Sequence, residues 1–172
     1  MRERKVRIVS EVPFCDVDSL GVVWHGRYLN YFELARTALF RQVGFDIKEM
    51  KRSGYVWPVI EAHCRYVSPL QYGDRFVVDA RFVDIQHRVK IEYTVTGPRG
   101  RRVAKGHTVQ AAVRAKTGTL VLNTPDILLH HLSLWQKGSS PKSNIKFSRP
   151  ALFQRGDPPE LRLSRRQGKR PW

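Results

Sequence analysis

The feature that most constrains this chain is a change of hydrophobic period along its length. Between about Arg27 and Val43, apolar residues recur at helical spacing, with Tyr28, Tyr31, Phe32, Ala35 and Leu39 on one broad face. Asn30, Glu33, Thr37 and Arg41 lie mostly on other faces. Gly44 is expected to stop this helix, and a short helix over Asp46–Arg52 is expected to end at Gly54. From residue 56 the period becomes two. Phe76, Val78, Ala80 and Phe82 share one face of Arg75–Val83, and Val89, Ile91, Tyr93 and Val95 share one face of Arg88–Thr96. Val56–Val67, Val103–Ala115 and the short Thr119–Asn123 read as further strands. The first strand is read as Lys5–Phe14, with Val6, Ile8, Val12 and Phe14 on one face.

The joining segments are tight, among them Ser68-Pro69, Tyr72-Gly73-Asp74 and Gly97-Pro98-Arg99-Gly100. Parallel neighbours need long crossovers, so these strands are expected to be antiparallel. The pattern predicts an α+β domain, an antiparallel sheet wrapped around one long central helix. A last short helix is expected after Thr124 as its cap, with Pro125 at its first position. The domain is expected to span residues 1–134, and residues 135–172 to form a basic C-terminal tail.

That tail carries much of the charge. The chain of 172 residues has a formal net charge of +16. From Gln136 onward, ten Lys or Arg face only Asp157 and Glu160. Such a surface favours polyanions: nucleic acid, acidic membrane or a phosphorylated cofactor. Cys15 and Cys64 form no C-x-x-C pair, so neither a disulfide framework nor a zinc site is expected. The first nine residues lack the apolar run of a secretory leader, and no stretch approaches the ~20 apolar residues of a membrane span. A cytoplasmic location is the expectation.

The stretch that carries chemistry runs from Phe14 to Tyr31. It reads as a strand end, a turn bearing Asp16 and Asp18, an apolar patch, His25 and a helix start. Backbone N–H groups at a helix start lack partners and carry partial positive charge. Aimed at a carbonyl oxygen, they stabilise the negative charge that develops there. A carboxylate alongside serves as nucleophile or as base for water. Taken alone, Asp-x-Asp is turn chemistry, a His before a helix is a cap or a surface residue, and Gly21 supplies a positive φ.

The whole string resembles the hot-dog thioesterases of the 4-hydroxybenzoyl-CoA thioesterase type, most closely their YbgC-like acyl-CoA thioesterase branch. The matching positions are Asp16, Asp18, Gly21, Val23, Trp24, His25, Tyr28, Glu33, Ala35 and Arg36. A second stretch, Tyr66-Val67-Ser68-Pro69-Leu70-Gln71-Tyr72-Gly73-Asp74, matches the branch's Tyr-x-x-Pro-x-x-Tyr-Gly-Asp. Leu20 departs from the pattern, which has small residues there.

The resemblance implies a hot-dog fold that hydrolyses acyl-CoA. Asp18 takes the place of the catalytic carboxylate, and a backbone N–H at or beside His25 that of the oxyanion donor. His25 lies in the same site, and no metal or bound cofactor is required. It also implies a homodimer or homotetramer with paired sheets and acyl-CoA at the subunit interface. Asp16 is read as structural, and Glu33 with Arg36 as a surface pair. Tyr28 and Glu61 are the candidates for the substrate site. Tyr28 otherwise reads as core or interface, and Glu61 as part of a solvated or interface strand face shared with His63 and Arg65. Arg88 or Lys90 are candidates for the coenzyme phosphates. Two rivals stand beside this reading: a hot-dog thioesterase acting on acyl carrier protein, and a ligand- or nucleic-acid-binding hot-dog protein without turnover.

Overall fold

The structure, a computed structural model, describes residues 5–138. The chain forms β1 (Val6–Glu11), α1 (Arg27–Gln42), α2 (Ile47–Ser53), β2 (Tyr55–Val56), β3 (Val59–Tyr66), β4 (Arg75–Asp84) and β5 (Val89–Thr96). β6 (Arg102–Gln110), β7 (Ala112–Arg114), β8 (Leu120–Val121) and α3 (Asp126–Lys137) follow. Five strands make an antiparallel sheet in the order β1-β4-β5-β6-β3, and β2-β7-β8 make a small second sheet.

One row of side chains shows how sheet and helix fit. Val6, Ala80, Tyr93, Gly106 and Cys64 stand opposite one another across all five strands. This row faces α1. Phe32 of α1 stacks on Tyr93, with ring centres 4.5 Å apart and 6° between planes. A Cβ on Gly106 would stand 2.5 Å from the Phe32 ring and 2.3 Å from the His63 carbonyl oxygen. The bare glycine is what lets α1 lie this close. Tyr28, Tyr31, Phe32, Ala35, Ala38, Leu39 and Phe40 are the buried residues of α1, which fits the broad apolar face of the sequence. Burying a large aromatic or aliphatic side chain is worth about 1.5–3 kcal/mol, so this face provides much of the drive to wrap the sheet.

Four expectations need correction. The first strand ends at Glu11, because Pro13 leads into a 3-10 turn at Phe14–Asp16. That turn leaves Phe14 78% exposed instead of inward with Val12. The strands expected at 56–67 and 103–115 are each broken in two, at Trp57-Pro58 and at Ala111. The breaks lie side by side, since the Ala111 N–H donates to the Pro58 carbonyl at 3.3 Å, and Pro58 has no N–H to continue a ladder. The far ends therefore leave the main sheet and build the small one. Thr124 does not cap α3; Pro125 holds that position and no side chain caps the helix. Finally, α3 runs past residue 134 to Lys137, and Trp135 is buried with its ring edge-on to Phe82. The rest of the segment expected to form a basic tail lies outside the described residues. No helix among those residues is long and apolar enough to cross a membrane.

Candidate active site

The Asp16–Trp24 segment folds back on itself as a small hairpin. Val17 and Val23 form an antiparallel bridge, the Asp18 N–H donates to the Val22 carbonyl at 2.9 Å, and the Trp24 N–H to the Asp16 carbonyl at 2.9 Å. At the tip, the Gly21 N–H donates to the Asp18 carbonyl at 3.0 Å, with Gly21 at φ 76°. This is the positive φ expected of it, and a side chain there would be strained. The Asp18 carboxylate is half-buried. Its Oδ1 accepts from the Leu20 N–H at 2.8 Å, and Oδ2 has no partner among the described residues. One oxygen thus fixes the carboxylate and the other stays open.

The hairpin leads straight into α1, whose cap, Gly26, offers no side-chain acceptor. The N–H groups of Arg27, Tyr28 and Leu29 turn onto the carbonyls of Trp24, His25 and Gly26. Just before them, the N–H groups of His25 and Gly26 have no backbone acceptor among the described residues. They sit at the positive end of a 16-residue helix. The His25 ring is exposed and lies against Trp24, with ring centres 4.9 Å apart.

Asp16 locks hairpin to helix. The Tyr31 hydroxyl donates to Asp16 Oδ2 at 2.7 Å, and Arg27 Nε stands 3.1 Å from Oδ1. Asp16 is 9% exposed, so its charge relies on these two partners. Burial first, and then the bond to Asp16, push the Tyr31 hydroxyl far above the usual tyrosine range. Within the turn, the Asp16 carboxylate accepts only a 3.8 Å contact from the Cys15 thiol among the described residues, so its short bonds tie the turn to α1.

The two sequence stretches that carry the resemblance are neighbours in space. The Val23 N–H donates to the Leu70 carbonyl at 2.8 Å, and Val12 exchanges backbone bonds of 3.0 Å with Gly73 and Asp74. Phe14 and Tyr72 meet edge to face at 5.8 Å. The Tyr66 hydroxyl donates to the His25 carbonyl at 2.9 Å. Desolvation, and then the neighbouring Cys64, push the Tyr66 hydroxyl up to about 12, so it remains a donor through the neutral range. Tyr66 as a brace for the helix start, and Tyr31 as the donor to Asp16, are functional placements the sequence did not reveal. Tyr66 stood in a matched motif, but only the strand pairing shows that it reaches His25.

Two candidates are not brought to Asp18 within one chain. Tyr28 is buried at 3% exposure among Tyr31, Tyr66 and the Leu70 backbone. It supports the helix start and presents no open surface. Glu61 sits opposite Val109, on the face of the sheet away from α1, because strand side chains alternate. There its Oε1 meets His107 Nε2 at 2.7 Å, a contact that holds the Glu61 carboxyl below its ordinary value. Glu33 and Arg36 pair on α1 as expected. No group of three His, Cys, Asp or Glu that would hold a metal occurs among the described residues.

The profile of the thioesterase-like superfamily matches residues 12–154. The Bacillus subtilis protein YneP, provisionally named an acyl-CoA thioesterase, is 38% identical over 68 residues. That match covers 40% of this chain and 49% of YneP, so the chain spans about half of that relative. A 1,4-dihydroxy-2-naphthoyl-CoA hydrolase of Thermosynechococcus vestitus is 33% identical over 100 residues, 56% of this chain and 68% of the relative. A DHNA-CoA thioesterase structure from Staphylococcus aureus superposes with a TM-score of 0.67 over 78% of this chain and 95% of that one. Its sequence identity of 21% speaks for the fold alone. The fold is the hot-dog fold.

Proposed function

The chain belongs to the thioesterase-like superfamily, and from that premise we propose that it hydrolyses acyl-CoA thioesters to free acid and coenzyme A, with Asp18 as the reacting carboxylate. The observation that carries this reading is the coupling of Asp18 to the start of α1. A carboxylate with one oxygen fixed and one open stands on a hairpin that Asp16, Tyr31 and Arg27 clamp to a helix end with unsatisfied N–H donors. The His25 and Gly26 N–H groups polarise the thioester carbonyl and receive the oxyanion, and donors of this kind are worth about 3–4 kcal/mol.

Asp18 acts in one of two balanced ways. As nucleophile, Oδ2 adds to the carbonyl carbon, and the tetrahedral oxyanion collapses to expel the coenzyme A thiolate. The acyl-aspartyl anhydride left behind is then cleaved by water. As general base, Oδ2 takes a proton from the water that attacks, and the same oxyanion collapses with loss of the thiolate. In a single turnover in heavy-oxygen water, solvent oxygen in Asp18 marks the anhydride route cleaved at the aspartyl carbon, whereas an unlabelled Asp18 fits the general base or cleavage at the acyl carbon.

Within the superfamily, the motif from Asp16 to Arg36 together with Tyr66–Asp74 supports the YbgC-like branch. The same reading places acyl-CoA between paired subunits, gives Arg88 or Lys90 the coenzyme phosphates, and puts the enzyme in the cytoplasm. It assigns the basic residues beyond 138 to contact with polyanions rather than to hydrolysis. The test is a panel of aliphatic and aromatic acyl-CoAs, with matched acyl groups on acyl carrier protein, followed by thiol release. Turnover of at least one acyl-CoA is expected. Turnover confined to the carrier-protein substrates removes coenzyme A from the account, and none at all marks a binding protein.

A further inference from the structure

The middle of the sheet face turned away from α1 is charged, and most of its charges cancel in pairs. Asp79 of β4 takes Lys5 and Arg7, and Glu92 of β5 takes Arg81. Two cations stay outside this pattern. Arg65 of β3 stands directly opposite Lys105 of β6. Both are exposed, and neither has an acidic partner among the described residues. Like charges directly opposite each other in antiparallel strands are destabilising. One step along the same two strands, His63 stands opposite His107, with ring centres 5.3 Å apart and 19° between planes. Cationic or protonatable side chains thus form a block on two adjacent strands, and among the described residues Glu61, through His107, is the one carboxylate bonded to it.

The block borders a hollow. Across the sheet, Lys105 is followed by Thr94 of β5 and then by Asp79. Thr94 is short between longer neighbours, and its hydroxyl has no partner among the described residues. A hollow of about 540 Å³ lies there, within the size range of small-molecule sites. Its walls hold four Lys or Arg against two carboxylates, and both carboxylates are already bonded to Lys5, Arg7 and Arg81.

Two uncompensated cations beside a free hydroxyl make a donor set suited to a phosphate group. The guanidinium offers a planar fork, the ammonium a compact charge, and the hydroxyl one more donor. Neighbouring strands lie about 4.8 Å apart, so Arg65 and Thr94 are about 10 Å from each other, a span that long Arg and Lys side chains can close. A phosphate held between them removes the repulsion of Arg65 and Lys105. A local conflict of this kind is expected where a site serves a ligand. The basic strip stops at Asp79 and Glu92, which suits a compact anion better than a nucleic-acid strand laid across the sheet.

We propose that Arg65, Lys105 and Thr94, with His63 as a further donor, bind a compact phosphorylated ligand, either free phosphate or a phosphate monoester. The site uses none of the residues assigned to hydrolysis, and its test needs no thioester.

The experiment is thermal unfolding of the full chain in phosphate, in glycerol 3-phosphate and in chloride at one ionic strength, with calorimetric titration of both phosphates. A ligand that binds the folded chain raises its stability, so either phosphate should protect more than chloride. Arg65→Gln and Lys105→Gln should each weaken binding about tenfold or more, the worth of a hydrogen bond to a charged group. Lys51→Gln, which removes the same charge from α2, should leave binding unchanged. Without phosphate, Arg65→Gln should melt no lower than the wild type, because facing cations are separated. Tighter binding of glycerol 3-phosphate identifies the ligand as a monoester, and tighter binding of phosphate as the free anion. Protection no greater than in chloride, binding that survives both Gln variants, or binding lost equally in Lys51→Gln overturns the site. So does a duplex oligonucleotide held through Arg65 and Lys105 more tightly than either phosphate.

Discussion

Tyr31→Phe removes one hydroxyl and little else. The ring keeps its place against Phe76 at 4.5 Å and Tyr28 at 5.8 Å. What is lost is the 2.7 Å bond to Asp16 Oδ2, made between groups that are 4% and 9% exposed. A hydrogen bond to a charged group contributes about 1.5–3 kcal/mol, and its loss leaves a buried carboxylate oxygen unpaired. For a domain of this size each kcal/mol moves the melting temperature by roughly 3–5 °C, so a drop of roughly 5–15 °C is expected. Urea unfolding followed by circular dichroism measures the change directly. A double-mutant cycle with Asp16→Asn should give a coupling of about 1 kcal/mol or more, because the two groups act through one contact. Activity should fall together with stability, since this bond clamps the Asp18 hairpin to α1. A loss under about 0.5 kcal/mol, or strict additivity in the cycle, would refute the clamp.

Tyr66→Phe should lower kcat by roughly fivefold, about the worth of one neutral hydrogen bond, with little change in unfolding, because the tyrosine is half-exposed; steady-state rates and melting curves check both. Truncation after Leu134 should destabilise the fold by about 3 kcal/mol or more through loss of buried Trp135, whereas truncation after Gly138 should leave the urea midpoint and the rate near those of the full chain. Acid should unfold the protein progressively below about pH 4. The Arg7 hydrogen bond, and then Lys5, hold the Asp79 carboxyl low, so its contribution is present above the ordinary carboxylate range and is lost as pH falls through the depressed value. Asp79→Asn should flatten that part of an unfolding-versus-pH curve.

Much of the fold could be read from periodicity, because apolar patterning and burial coincide on α1, β4 and β5. The alternation of Phe76, Val78 and Ala80 and the spacing of Tyr28, Tyr31, Phe32 and Ala35 reflect one helix facing one sheet. Failures came where a single residue redirected the backbone. Pro13 ends β1 and swings Phe14 outward, and Pro58 opposite Ala111 splits two strands that alternation alone would continue. The turn chemistry of Asp18 and Gly21 is local, and the sequence held it. The partners of Asp16, the brace from Tyr66 to His25 and the displacement of Glu61 to the far face depend on contacts between residues 15 to 46 positions apart. No short pattern encodes those.

The most direct test compares kcat/KM of the wild-type chain and Asp18→Asn on the acyl-CoA it turns over best, with circular dichroism and coenzyme A binding as controls. Asn keeps the shape of the side chain and can still accept from the Leu20 N–H, but it loses the charge that attacks the carbonyl or takes a proton from water. The account predicts a fall of about 10²–10⁴ in rate with fold and binding retained. A folded Asp18→Asn chain that hydrolyses the thioester at near the wild-type rate would contradict it.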